Sequence, residues 1–322
     1  IPLQAVSKTA HKRATLQLHG ASEFIKTVTQ ALLEQKGDTL PVSALPDHGI
    51  WPTGTTCLEK RNMAQFIPQW DPSLCIQCNQ CSLVCPHAAI RTKHFNNSSL
   101  KQAPEGFQSA PFRSPNNPDQ AFTVQVSPEN CTGCGLCSAN CPAKSRTDAN
   151  KKALTMVHKA EVFNQTHANS EFFDTLPYQT EFNHPIDAKQ SQFRQPLFEY
   201  SGACAGCGET AYIKLLTQLF GDRLIMANAT GCSSIYGGHL PTTPYTKNSD
   251  GRGPAWASSL FEDNAEFGFG MRIAADKKTQ TARQLLTELQ PQLTQDFSEL
   301  LQPANDEQQY TNHRQLIEEL KQ

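Results

Sequence analysis

Two cysteine runs with one spacing constrain this chain more than anything else in it. Cys75-x2-Cys78-x2-Cys81-x3-Cys85-Pro86 is followed by Cys131-x2-Cys134-x2-Cys137-x3-Cys141-Pro142. Three thiolates on one tight loop reach three irons of a cube, and the fourth, set just before proline, points to another cube. The spacing assigns Cys75, Cys78, Cys81 and Cys141 to a first [4Fe–4S] cluster. It assigns Cys131, Cys134, Cys137 and Cys85 to a second. Zinc knuckles and disulfides are the alternatives, but zinc sites usually bring two separated CxxC pairs, not four cysteines in one short run closed by proline. Gly133 and Gly135 let backbone N–H groups approach the sulfur atoms of the second run.

The doubled run is the pattern of bacterial ferredoxins, so residues 71–190 are expected to form an α+β, ferredoxin-like two-cluster domain. The chain has 322 residues and a net charge of -2. That length allows about two domains. The charge offers no basic footprint for nucleic acid. Apolar stretches such as Leu224–Ala227 are too short for a bilayer, and no leader is visible. Thiolate clusters suit a reducing cytoplasm. The chain opens at Ile1 and stops inside a helical pattern, His313–Lys321, so it is expected to be an internal fragment of a longer protein.

Upstream, residues 22–37 read as a helix capped by Ser22, striped by Phe24, Ile25, Val28, Leu32 and Leu33, and ended by Gly37. Residues 40–72, punctuated by proline, read as an ordered linker over a surface. Residues 95–120 read as an inserted loop, with His94 and Phe95 extending a strand into its start. Phe122–Val126 alternates like a strand, and 145–200 reads as a polar wrap. From 201 the pattern becomes α/β. A small-residue loop precedes a helix at Glu209–Phe220, with Ile213, Leu216, Leu219 and Phe220 apolar. A buried strand follows at Arg223–Ala229, then a loop at Thr230–Pro244. Residues 275–302 and 309–321 read as polar helices.

Cys204-x2-Cys207-x-Glu209, with Cys232 downstream, forms a third cysteine group on two loops. A CxxC alone is open to a redox dithiol, a zinc half-site or chance. Three thiols could meet at a third cluster whose fourth ligand lies elsewhere. Cys57 stands apart and reads as a free thiol.

Several blocks together resemble pyruvate:ferredoxin (flavodoxin) oxidoreductase. They are Trp51-Pro52-Thr53-Gly54-Thr55, Cys85-Pro86-His87-Ala88-Ala89-Ile90-Arg91, Ala103-Pro104-Glu105-Gly106-Phe107, Cys131–Cys137, Gly202–Thr210, Ala227–Tyr245 and Gly253–Met271. The resemblance runs nearly the whole chain. It implies oxidative decarboxylation of pyruvate with coenzyme A to acetyl-CoA and CO2. Thiamine diphosphate with Mg2+ carries the carbon chemistry, and electrons pass through [4Fe–4S] clusters to ferredoxin or flavodoxin. It implies that 1–40 ends a coenzyme A-binding domain, that 41–70 is a linker, and that 191–322 begins an α/β thiamine diphosphate-binding domain. It implies that Cys204, Cys207 and Cys232 are proximal-cluster ligands, that Glu209 and Cys232 contact thiamine diphosphate, and that the enzyme is a homodimer.

The chain also departs from the family. It holds no Gly-Asp-Gly segment for diphosphate and Mg2+, because Gly37-Asp38-Thr39 and Gly221-Asp222-Arg223 fail at the third position. It is therefore expected to carry electrons without turning over pyruvate alone, and no catalytic residue is assigned in it. The competing expectations are a non-enzymatic two-cluster carrier and an oxidoreductase for another 2-oxoacid. Among lesser candidates, His87 reads as a surface residue, His239 as an ordinary loop residue rather than a proton donor, and Lys144 and Arg146 as a solvated pair. Phe261, Phe267 and Phe269 read as core, and Glu262, Asp263 and Glu266 as solvated or capping.

Overall fold

The computed structural model describes residues 21–114, 117–148, 151–179, 186–238 and 240–321. The start of the segment expected to end a coenzyme A domain, residues 1–20, and His239 lie outside the described residues. The described chain divides into two compact units. One comprises the described residues up to Met226 with Thr230–Ser258, and the other comprises Ala227–Ala229 with the residues from Ser259 onward.

The first unit is built on a repeat of strand, cysteine loop, short helix and strand. The first half runs β1 (Phe66–Trp70), α2 (Gln80–Leu83) and β2 (Ile90–Asn96). The second runs β4 (Gln120–Val126), α3 (Leu136–Ala139) and β5 (Leu154–His158). The halves exchange strands. β1 pairs antiparallel with β5, Phe66 opposite His158, and β2 pairs antiparallel with β4, Ile90 opposite Val126. A short β3 (Ala110–Pro111) extends the second sheet on the far side of β4. The core between the sheets contains Ile67, Trp70, Ile90, Phe122, Val124, Leu154 and Phe193, together with Cys81, Cys85, Cys137 and Cys141.

Several sequence expectations change. The helix expected over 22–37 is shorter: a π-type turn at Ile25–Thr29 leads into α1 (Gln30–Leu33), and the chain leaves it through Gln35 at φ 62°, ahead of Gly37. The expected linker supplies β1. The expected wrap supplies β5 and the long helix α4 (Lys159–Thr175), whose weakly amphipathic sequence hides it. The expected inserted loop holds a 3-10 turn at Asn97–Gln102 as well as β3.

Past a short capped helix, α5 (Ala188–Ser191), the helix α6 (Thr210–Phe220) forms as expected, but its most buried positions are polar and its apolar residues are half-buried or exposed. Its buried residues are Thr210, Lys214, Thr217 and Gln218, while Phe220 is 44 % exposed. β6 (Ile225–Asn228) is partly exposed rather than buried, with Ile225 at 59 %. The loop expected at Thr230–Pro244 contains α7 (Cys232–Gly237). β7 (Ala255–Ser258) completes a small sheet with β6.

In the second unit α8 (Asn264–Leu289) begins well before residue 275, with Asp263 at its N-cap and Glu266 in its first turn. Phe261 and Phe269 are 74 % and 66 % exposed, against the expectation that they pack in a core. α9 (Glu307–Leu320) is capped by the Asp306 carboxylate. No described helix is long and apolar enough to cross a membrane.

Candidate iron–sulfur centres

The two cysteine loops take one backbone path. Gly133 and Gly135 have φ of 71° and 76°, as sulfur-approaching turns require. The first loop follows the same left-handed path without glycine, through Gln77 at 59° and Asn79 at 60°. Gln77 is held there by its side chain. Its amide donates to the Pro111 carbonyl at 2.7 Å and accepts from the Arg113 N–H at 2.9 Å. In each loop one backbone N–H points back at sulfur: Gln77 N–H donates to Cys75 Sγ at 3.3 Å, and Gly133 N–H to Cys131 Sγ at 3.4 Å. Sequence reasoning found the glycines and missed Gln77, whose neighbours are distant in the chain.

Two separate cavities open inside the core. Cys75, Cys78, Cys81 and Cys141 line one, with Trp70, Phe122 and Leu154. Cys85, Cys131, Cys134 and Cys137 line the other, with Ile90, Leu136 and Met156. Each is the set that the spacing predicts, including the crossed fourth cysteine. Most of the couplings between thiols run within one set, and one crosses between the sets. Burial first, then neighbouring thiols, pushes Cys75, Cys81, Cys131 and Cys137 up. Cys75 feels Cys78 and Cys141, and Cys131, raised to about 12, feels Cys85 and Cys134. Cys81 is raised well above its ordinary range, feeling Cys137 of the other set as well as Cys75 and Cys78. In each set two thiols are buried, Cys81 with Cys141 and Cys85 with Cys137, and four thiolates drawn together around one cavity call for a cationic occupant. Among the described residues no three His, Cys, Asp or Glu side chains converge tightly enough for one ion. Thiols that each serve a different corner of a cube stand further apart than those around one zinc.

The third group is more open. Cys204 and Cys232 are exposed and Cys207 is partly exposed. The Tyr236 hydroxyl is raised by burial and then by the Glu209 carboxylate, with smaller contributions from Cys207 and Cys232. Glu209 occupies the N-cap position of α6 without a side-chain cap bond. The Cys204 loop rests on the ferredoxin-like core: a side chain begun at Gly206 would meet Cys134 Cβ at 3.6 Å.

His87 is not at the surface. It is 2 % exposed, lines the second cavity and reaches Ser201 Oγ through Nδ1 at 3.5 Å. Its pKa is lowered by burial. Lys144 is exposed, in line with a solvated residue. Cys57 donates from Sγ to the Gly54 carbonyl at 3.0 Å, and burial raises it to about 11.

The segment ahead of the first run is clipped to the rest of the unit. Gly54 N–H donates to the Tyr245 carbonyl at 2.7 Å, and Thr56 Oγ1 to the Glu199 carbonyl at 2.8 Å. Glu59 accepts from Thr242 Oγ1, Lys60 pairs with Glu129 at 2.8 Å, and Arg61 donates to the Ser201 carbonyl at 3.1 Å. Three consecutive charged residues thus reach three distant stretches, one of them the loop that leads to Cys204.

Comparison with known proteins agrees with this layout. A family model described as a domain of unknown function matches residues 10–64, and one described as a 4Fe-4S dicluster domain matches residues 74–145. The chain is 48% identical over 330 residues to a pyruvate-flavodoxin oxidoreductase of Nostoc sp., covering 100% of this chain and 28% of that protein. It is 52% identical to a probable pyruvate-flavodoxin oxidoreductase of Escherichia coli, covering 86% and 24%. It is 56% identical to a pyruvate:ferredoxin oxidoreductase of Moorella thermoacetica, covering 80% and 21%. The chain spans about a quarter of the length of these relatives.

Proposed function

We propose that this chain, which belongs to the pyruvate:ferredoxin (flavodoxin) oxidoreductases as a segment of their length, is the electron-transfer part of such an enzyme. The whole enzyme oxidises pyruvate with coenzyme A to acetyl-CoA and CO2, and ferredoxin or flavodoxin takes the electrons. The observation that carries this is the pair of four-cysteine cavities in one core. When bound there, [4Fe–4S] groups supply one-electron storage and transfer at low potential.

The residues of this chain do the holding and the tuning. Cys75, Cys78, Cys81 and Cys141 hold one group, and Cys131, Cys134, Cys137 and Cys85 the other. The N–H groups of Gln77 and Gly133 stabilise thiolate charge at Cys75 and Cys131. Trp70, Phe122 and Leu154 keep water from the first group, and Ile90, Leu136 and Met156 from the second.

Cys204, Cys207 and Cys232 are proposed as three ligands of a further cluster, and Glu209 and Cys232 as contacts of thiamine diphosphate with its Mg2+. The shared influence of Glu209, Cys207 and Cys232 on Tyr236 supports this. The contact of Gly206 with Cys134 supports an order in which that group communicates with the second cysteine set before the first. In this assignment residues 1–40 end the coenzyme A-binding domain, 41–70 link, 71–190 form the two-cluster domain and 191–322 begin the thiamine diphosphate domain of a cytoplasmic homodimer.

Anaerobic purification followed by iron and sulfide analysis and EPR tests the assignment. About eight irons per chain are expected, from two cubes. A colourless preparation, or one holding zinc, defeats it.

A further inference from the structure

Lys214 lies mid-helix in α6, outside both cysteine runs, yet it is 1 % exposed. Its ammonium donates to the carbonyls of Ser82 and Leu83, the latter at 3.2 Å. Those carbonyls end α2, between Cys81 of the first set and Cys85 of the second. Burial lowers Lys214 to about 8, and the charges that oppose this are Cys85 and Cys81, one from each set. Among the described residues no carboxylate pairs with it. A buried cation without a carboxylate is costly unless something nearby is negative. Arg91, the other charge that acts on it, is also a cation, so among the described residues the anions in reach would be the two cysteine-ligated groups.

The position is pinned. Ser82 Oγ donates to Gln192 Oε1 at 3.0 Å, Gln192 Nε2 donates to Gln218 Oε1 at 3.1 Å, and Gln218 Nε2 donates to the Arg194 carbonyl at 2.9 Å. The helix that brings Lys214 is therefore locked to the helix that follows the first cysteine loop.

The internal repeat supplies a control. In the second half Lys152 donates to the carbonyls of Ser138 and Ala139, at 2.8 and 3.1 Å. Ser138 and Ala139 hold the places in α3 that Ser82 and Leu83 hold in α2. Each short helix thus ends on a lysine. Lys152 is partly exposed, so water and salt screen its charge. Capping two carbonyls does not require burial, and Lys214 is buried all the same.

We propose that Lys214 is a fixed positive charge, shared by the two cysteine-ligated centres, that raises the reduction potential of both. The proposal rests on the cavities holding [4Fe–4S] groups. The chain downstream of the ferredoxin-like repeat would then tune it as well as dock on it.

The test is EPR-monitored redox titration of the anaerobic chain and its Lys214→Met, Lys214→Gln, Lys214→Arg and Lys152→Met variants, each with an iron count. The neutral Lys214 variants should keep about eight irons and shift both reduction equilibria about tenfold towards the oxidised form, 59 mV for one electron. Lys214→Arg should restore most of the shift, and Lys152→Met should move the potentials less. Unmoved potentials in fully loaded neutral variants overturn the proposal. So does a shift as large in Lys214→Arg, or equal loss of iron in all three Lys214 variants. Iron loss in the neutral variants that Lys214→Arg repairs supports it. A wild-type chain without cubes defeats the functional assignment itself, a result distinct from any of these.

Discussion

Gly206 lies against Cys134, with room for a side chain to begin 3.6 Å from the cysteine Cβ and 3.8 Å from Leu136 Cδ1. That spacing is ordinary contact, so the constraint on Gly206 is its backbone, at φ 74°.

Gly206→Ala should therefore fit in space but carry a left-handed penalty of roughly 1–2 kcal/mol. Gly206→Asn should carry less. Amide exchange across residues 203–208 should quicken about five-fold or more in the alanine variant. Unchanged exchange would show that the loop does not need this conformation.

The crossed fourth cysteine gives a non-additive prediction. Cys141→Ser and Cys85→Ser should each lower the iron content from about eight to about four. Adding Cys75→Ser to Cys141→Ser should remove nothing further, while adding Cys131→Ser should empty the chain. The reverse pattern would reassign the ligands.

The two loops should respond differently to alanine. Gln77→Ala removes two buried hydrogen bonds, worth roughly 1–3 kcal/mol, and should hasten chelator removal of iron from the first set alone. Gly133→Ala adds a Cβ at 3.1 Å from the Phe66 carbonyl and 3.2 Å from Ala64 Cβ at φ 71°, and should act on the second set. Equal effects on both sets in either variant would argue against independent cavities.

Arg91 is buried. It pairs with Glu199 and donates to the Ala88 carbonyl at 2.6 Å and the Tyr178 hydroxyl at 3.0 Å. Arg91→Met strands the carboxylate and should cost about 3–5 kcal/mol, read by denaturant unfolding under anaerobic conditions. Arg91→Met with Glu199→Gln should recover part of that loss. No recovery would mean that the arginine acts through packing.

Lys93 gives a pH prediction. Burial lowers it to about 7, although its ammonium donates to the Phe173 carbonyl at 2.8 Å and stands over Tyr178 at 3.9 Å. An unfolded lysine keeps its proton to about 10.4. Between those values the unfolded chain holds more protons, so this residue makes stability rise as pH increases from about 7 towards 10. Below about 7 both states are protonated and the slope vanishes. The difference in unfolding free energy between wild type and Lys93→Met, measured at pH 7 and pH 9, should show that rise. A difference independent of pH would place the folded value near the ordinary one.

The two cysteine sets were legible in the sequence, because ligand spacing is a local property that the fold must respect. The strand at Phe122–Val126 and the helix after Glu209 were legible for the same reason. β1 and β5 were not, since each is stabilised mainly by the other across a long interval. The burial of Lys214 and Gln218 in α6 is not legible, because the usual rule buries only the apolar residues, and Ile213, Leu216 and Leu219 are half-buried here. The burial of His87 is not legible, because nothing in its neighbours announces the chain at Ser201 that reaches it. The role of Gln77 is not legible, because its left-handed turn is secured by Pro111 and Arg113, far along the chain.

The exchange of strands and of fourth cysteines between the halves also fixes a timetable for a growing chain. Nothing made before residue 131 can complete either cage, and residues 137 and 141 finish both almost together. A ribosome therefore delivers a long cysteine-bearing stretch that must stay reduced and unpaired until its second half emerges. Neither proposed centre then has its full ligand set much before the other.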